Sequence, residues 1–551
     1  MTKVVKSMTF AFTLGLNVSS VVANMTNLPI VVFPILGGKY GFPEAGRAMN
    51  LGRRMYMGTS WKRKATGLKG EDLGMEVFDG PSLANLDFND PNIDTIVKQL
   101  QGDVKRGEGF TTDELKVLVD IMVQQGQANR STVGEMLDQE APERSGYQLF
   151  NNTMGMFFHQ GERLNRQVTS VAAYKLELDR IKEKAAKAGK KVTKADLLKA
   201  AHYAMNEMEY TNSGAMIETA PRLAQSNVGS VALMYKRFGI SMVWLQYRTA
   251  MHSLRNAKDP EAKRIAKRQL GALMGMTLMM AGVQGLPAIS LISWLLNQLY
   301  FDDTEDDADS AMARMMGEGW WSGPLNQLTG WDIAPRIGMS NLLYRQRPND
   351  VAGPIEHLAE ATLGPAFGVA KGRFYDGASL LLDGEIRRGT ERLAPAFLGN
   401  ILRGERYARE GGPRTLRGDP MTEALDAREL GGQFLGFAPQ NYTKAMELNQ
   451  LQKRKEREKN QKRSDLLSKR YRAYVDQDYE GMEEIDEEIN EYNTTYPYDP
   501  ITNATKRNSL RGNIETTQEI GEEGATGGMI YQNRRFRQEV RQRQWEELGI
   551  D

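Results

Sequence analysis

The stretch "LMMAGVQGLPAISLISWLLNQLYFDDTEDDAD", residues 278–309, joins two environments end to end. From Gln269 to Phe301 there is no charged residue, and then six carboxylates follow between Asp302 and Asp309. Either this is a membrane segment with a sidedness marker, or it is a buried hairpin ending in a solvated cap. Length limits the first reading. A straight helix over 269–301 spans about 50 Å, against a hydrocarbon core of about 30 Å. Pro287, two residues after Gly285, is expected to break the helix. The two halves are each too short to cross alone, which leaves a kinked, tilted span or a re-entrant hairpin.

The flanks differ in charge. Residues 255–268 carry Arg255, Lys258, Lys263, Arg264, Lys267 and Arg268 against Asp259 and Glu261. In a bilayer the basic flank stays cytoplasmic. Gly271 and Gly275 form a GxxxG pair, a spacing that admits a neighbouring helix. The candidate membrane-active residues are Leu270, Gly271, Gly275, Gly285, Pro287, Leu291, Trp294 and Leu295. In a water-soluble state the same run has to be buried.

A second uncharged run, residues 7–38, follows Lys3 and Lys6. "SVVA" ending at Ala23 imitates a secretory signal peptide, yet the apolar stretch Leu28–Leu36 follows at once. A buried or membrane-embedded helical hairpin is the rival reading.

Helix signals dominate elsewhere. Thr111 and Glu114 make a capping box ahead of an apolar-periodic run that closes at Gly126, and Thr132 with Glu135 repeats it. Thr193 opens a helix with Leu197, Leu198, Ala201 and Met205 on one face. "VALMYKRFGISMVWLQYRTAMHSL" reads as one long helix with a wet face. The chain is therefore expected to be all-α: an elongated multi-helix protein with apolar hairpins and a charged helical tail. Composition divides it into an apolar, then basic N-terminal region (1–60), a soluble helical region (61–220), a Met- and Gly-rich region (221–400) and the charged tail (401–551).

In the tail, Lys453–Arg472 holds ten basic residues against three acidic ones, and Asp476–Glu491 holds nine acidic and none basic. The two are expected to fold back as an antiparallel pair. The rival is a basic helix on phosphate, with Lys453, Arg454, Lys455 and Arg457 as contacts. Near the C-terminus Arg534, Arg535, Arg537 and Arg541 interleave with Tyr531, Phe536 and Trp545, which suits a partner surface, nucleic acid or docking on the chain itself.

The 551 residues hold no cysteine and 71 basic against 70 acidic side chains, so thiol chemistry and a global field are excluded. His159, His202, His252 and His357 lack zinc-binding spacing. No nucleophile elbow, P-loop or dinucleotide fingerprint occurs, and the acidic cluster lacks calcium-loop order. No enzyme activity and no cofactor are expected.

Several motifs then carry a resemblance. "LGLNVSSVVANMTNLPIVVFPILGGKYGF", "MYKRFG", "GLPAISLI", "WDIAPRIGMSNLL" and "FLGNILRGERYAREGGPRTLRGDP" occur in that order. They resemble the C-terminal part of the large polyvalent proteins of tailed bacteriophages, named for a Pro-Leu-x-Arg-Phe-Gly signature. The signature falls on Lys236, Arg237, Phe238 and Gly239, with Met234 and Tyr235 in place of its Pro and Leu. The resemblance spans residues 8–440. It implies an internal virion, or ejection, protein that is packaged in the capsid and delivered into the host envelope. There it would help form a conduit for the genome across periplasm and inner membrane. The implied partners are other internal virion proteins and the portal/core complex, the host inner membrane, phage DNA and further copies of the chain. The alternative is a soluble core or scaffold protein whose apolar runs stay buried between subunits.

Overall fold

The computed structural model describes residues 2–57, 83, 109–126, 146–212, 222, 226–234, 236–251, 259–287, 289, 292, 293, 296, 308–338, 365–415 and 417–522. The described residues are 82% helical and form no strand, so the chain is all-α. It divides into two units, with the boundary after Glu447.

The first unit opens with α1 (Thr2–Thr13), α2 (Val18–Met25), a π-helical turn (Leu28–Val32), α3 (Phe33–Tyr40) and α4 (Phe42–Met57). Gly41, at φ +108°, turns the chain between α3 and α4, and the Phe33 and Phe42 rings meet across that turn at 5.6 Å. The N-terminal hairpin is therefore built by α3 and α4, while α1 packs against later helices. Next come α5 (Thr112–Gln125), α6 (Gly146–Lys187) and α7 (Lys194–Thr211). The expected capping box of Thr111 with Glu114 forms, and Thr193, expected to open a helix, makes a second box with Asp196. Gly126 closes α5 in the left-handed conformation. Thr132 and Glu135 lie outside the described residues.

The helices α3 to α7 enclose one apolar cluster. Leu36, Leu118, Met122, Val171, Tyr174 and Ala204 are all fully buried in it. Fully burying a valine, leucine or methionine side chain contributes about 1.5–3 kcal/mol of transfer free energy.

The long helix expected over residues 231–254 is interrupted near its start: α8 (Asn227–Ala232) ends with Leu233 as its C-cap, and α9 (Lys236–Met251) follows. Then α10 runs from Pro260 to Ala281, capped by Asp259. Short helices follow: α11 (Ala308–Met316), α12 (Glu318–Ser322), α13 (Pro324–Thr329) and α14 (Ala334–Ile337). After these come α15 (Pro365–Val369), a π-helical turn (Ala370–Tyr375), α16 (Asp376–Leu382), α17 (Ile386–Leu393), α18 (Ala396–Glu410) and α19 (Ala427–Leu435).

The second unit begins within α20 (Gln440–Val475) and continues through α21 (Tyr479–Thr495) and α22 (Asn503–Glu522). The opposite charges of α20 and α21 do pair antiparallel. Arg470 reaches Asp486 at 3.0 Å and Lys469 reaches Glu488 at 3.1 Å, while Lys459 and Arg463 both hold Asp499. Leu466, Ile489, Tyr492 and Ile501 form a small core beneath them. Lys506 of α22 adds a second cation to Asp486 at 2.7 Å.

Burial raises the Asp486 pKa, but the Lys506 and Arg470 hydrogen bonds outweigh it and hold the carboxyl below its ordinary range. Its contribution is thus present above the ordinary carboxylate pKa and is lost as pH falls through the lowered value. Asp486→Asn is expected to destabilise this unit by about 1 kcal/mol, and by less in molar salt. Urea denaturation at two ionic strengths checks this.

Candidate functional site

The two uncharged runs pack on each other. α3 lies along α10, and Gln269 Nε2, at the first residue of the second run, donates to the Ile35 carbonyl at 2.8 Å. Ile30, Val31, Ile35, Leu273 and Ala281 are buried in one cluster with Met242, Ile333, Ile337 and Phe437. The two helices come close at Gly38, where a Cβ would run into the Gln269 side chain at Cγ and stand 2.9 Å from its nitrogen and 3.0 Å from its Cα. Glycine is what lets α10 sit this near.

The break in the second run comes earlier than Gly285–Pro287. Helix α10 ends at Ala281, and Gly282 takes φ +67° and ψ −172°, a combination reserved to glycine. Two close backbone contacts explain this. A Cβ on Gly282 would meet the Trp320 carbonyl at 2.7 Å, and one on Gly338 would meet the Gly285 Cα at 2.7 Å. The break is thus a seat for residues 320–323 and 338, and Pro287 follows it in a turn. The uncharged part of α10 is only Gln269–Ala281, about 20 Å of helix, too short to cross a bilayer as it stands.

Of the other candidate residues, Leu270 is half-buried and Gly285 is buried, while Leu291, Trp294 and Leu295 lie outside the described residues. Gly271 and Gly275 face open space, with nothing within 4 Å of a Cβ on either. The helix expected at this GxxxG is therefore not supplied by the described part of the chain, where α3 uses Gly38 instead. With no close neighbour, Gly271→Ala and Gly275→Ala are expected to stabilise α10 by about 0.5–1 kcal/mol each. Thermal denaturation decides it, and a loss of stability would mean an unseen partner helix.

Lys236, Arg237, Phe238 and Gly239 form the first turn of α9; their side chains lie outside the described residues. Lys453 and Arg457 are exposed on α20, Lys455 pairs with Glu458 at 3.5 Å, and the Arg454 side chain is not described. Arg534, Arg535, Arg537 and Arg541 lie outside the described residues, as do Asp302–Asp307. Asp309 is not a free cap, because it accepts the hydroxyl of buried Ser293.

A polar clamp at the end of α3 was not foreseen. Lys39 donates to the Tyr203 hydroxyl at 2.8 Å and lies 4.0 Å from that ring's centre. Tyr40 donates to Glu177 Oε2 at 2.6 Å, and Arg180 grips the same carboxylate through two nitrogens. Glu207 completes the clamp against Tyr203. The available signal was that Lys39 and Tyr40 follow directly on 32 uncharged residues.

The two carboxylates respond oppositely to pH. Burial raises Glu177, but the Arg180 and Tyr40 hydrogen bonds win and hold it low. Part of the Glu207 surface is exposed, yet its carboxyl is enclosed, and burial pushes it up against the Tyr203 hydrogen bond. Glu177 therefore stabilises above the ordinary carboxylate pKa and loses that as pH falls through its lowered value. Glu207 stabilises below the ordinary pKa and loses that as pH rises through its raised value. Glu207→Gln is expected to remove the loss on the rising side, read as a flatter dependence of Tm on pH above the ordinary carboxylate range.

Motif residues that carry the phage resemblance do packing work here. Trp331 stacks on Phe437 at 5.3 Å, Asn326 Oδ1 accepts from the Ile333 and Ala334 amides, and Arg336 donates to Ser19 and to the Gly436 carbonyl. They fasten α14 to α2 and to the α10 cluster. One helical stretch among the described residues, Val18–Tyr40, is long and apolar enough to cross a membrane, and half of it is buried. Comparison with protein-family models, curated proteins and solved structures returned no match.

Proposed function

We propose that this chain is an internal virion, or ejection, protein of a tailed phage, packaged in the capsid and delivered into the host envelope to help conduct the genome across periplasm and inner membrane. The pairing of the two uncharged runs across Gly38 is the observation that carries this reading. A protein stored in water and later placed in an envelope has to hide apolar helix in one state and release it in the other. The spanning element is Val18–Tyr40, at about 34 Å of helix; α10 is its storage partner, with residues 282–301 following. Other internal virion proteins, the portal/core complex and further copies of the chain are its partners in assembly. Lys453, Arg454, Lys455, Arg457 and the terminal arginines would serve DNA.

The half-burial of Val18–Tyr40 also suits the second reading, a soluble virion core protein that never enters a membrane. Mass spectrometry of purified particles and of envelope fractions after adsorption separates the two. The ejection reading expects the chain in particles first and in the inner-membrane fraction afterwards. Absence from particles overturns both, and retention in emptied particles overturns delivery.

A further inference from the structure

A second surface of the first unit has the chemistry of a lipid contact. α16 and α17 form a short hairpin whose turn is made by Gly384 at φ +85°. On either side of that turn Leu382 is 88% exposed and Ile386 is 68% exposed. Tyr375 and Leu381 are also exposed, Phe374 is partly so with its ring edge-on to Phe12 at 5.1 Å, and Leu398, Ile401 and Leu402 add an exposed apolar strip on α18. The three helices and the preceding π turn pack together as one body. So many large apolar side chains exposed on one small body mark an interaction surface.

Residues 371–403 carry six basic side chains against four acidic ones. Arg373 donates to the Ala394 carbonyl at 2.6 Å, and burial together with the charges of Arg403 and Arg392 pulls its pKa down to about 10. Among the described residues neither Arg373 nor Arg392 has a carboxylate partner. Glu391 does not supply one, because Arg406 already holds both its oxygens at 2.6 and 3.1 Å, with Arg403 farther off at 3.9 Å. Arg387 is exposed at the hairpin tip. Of the tip's carboxylates, Glu385 lies 3.7 Å from Arg388, and Asp383 stands exposed.

We infer that residues 371–403 are a peripheral docking face for membranes rich in anionic phospholipid. Leu382 and Ile386 enter the interfacial layer, and Arg373, Arg387, Arg392 and Arg403 take lipid phosphates. An apolar edge flanked by arginines is the arrangement that lies in a bilayer interface, with apolar burial and charge acting together. This docking needs no release of α3, so it stands apart from the insertion proposed above.

Vesicle flotation of the full chain tests it, with phosphatidylcholine alone and with an equimolar mixture of phosphatidylcholine and phosphatidylglycerol. The expected result is binding to the mixture only, weakened by salt. Leu382→Asp with Ile386→Asp, and separately Arg387→Glu with Arg392→Glu, should each weaken it about tenfold or more. Circular dichroism matching wild type shows that these exposed positions leave the fold intact. A chain whose α3 is disulfide-locked to α10 should still float. Equal binding to both vesicle types, wild-type binding by either double variant, or binding to duplex DNA in place of vesicles overturns the inference.

Discussion

Gly38→Val is expected to destabilise the first unit by about 2–3 kcal/mol and to increase insertion into vesicles. The new side chain meets α10 at Gln269, first at the side-chain Cγ and then at the backbone nitrogen and Cα, which cannot rotate away. Overpacking of this kind costs about 1–3 kcal/mol. Relief comes by separating α3 from α10, which also strains the Gln269 hydrogen bond to Ile35. Lower stability and greater apolar exposure should therefore appear together, read as a lower Tm and stronger binding of a hydrophobic dye. A variant as stable as wild type would show that the two runs do not pack at Gly38.

Gly282→Val is expected to be more damaging, by about 3–5 kcal/mol. Two costs combine at this position. A β-branched residue at φ +67° and ψ −172° is strained by about 1–3 kcal/mol. Its Cβ would also lie among the backbone atoms of Trp320, Trp321 and Gly323, adding an overpacking cost of about 1–3 kcal/mol. Gly282→Ala should fall between wild type and valine, since it shares the clash and most of the strain. The Tm order wild type, alanine, valine checks the assignment, and equal values for all three would refute the glycine seat.

Parts of this architecture were legible from residues alone. Local rules were enough for the caps at Thr111 and Thr193, because a capping box involves residues three apart. The antiparallel pairing of α20 with α21 was legible because complementary charge blocks flank a short turn at Gln477, a non-glycine residue at φ 57°. What failed was long-range. GxxxG at Gly271 announced a close helix, but the contact formed at Gly38, a glycine without that spacing. Pro287 was the visible breaker, yet the chain leaves the helix at Gly282, because tertiary contacts with 320–323 demand a backbone that only glycine adopts. The interruption at Leu233 carried no glycine or proline signal at all. The clamp around Glu177 unites residues from α3, α6 and α7, over 160 positions apart at the extremes, and no local pattern encodes it.

The central claim is that α3 leaves α10 when the protein enters a membrane. The chain has no cysteine, so a single engineered pair reports cleanly. Ile35→Cys with Leu273→Cys joins two residues buried in the same cluster. Carbonate-resistant insertion into phosphatidylglycerol-containing vesicles should be lost when that pair is oxidised and restored when it is reduced. Equal insertion in both states, or none in either, would contradict the account.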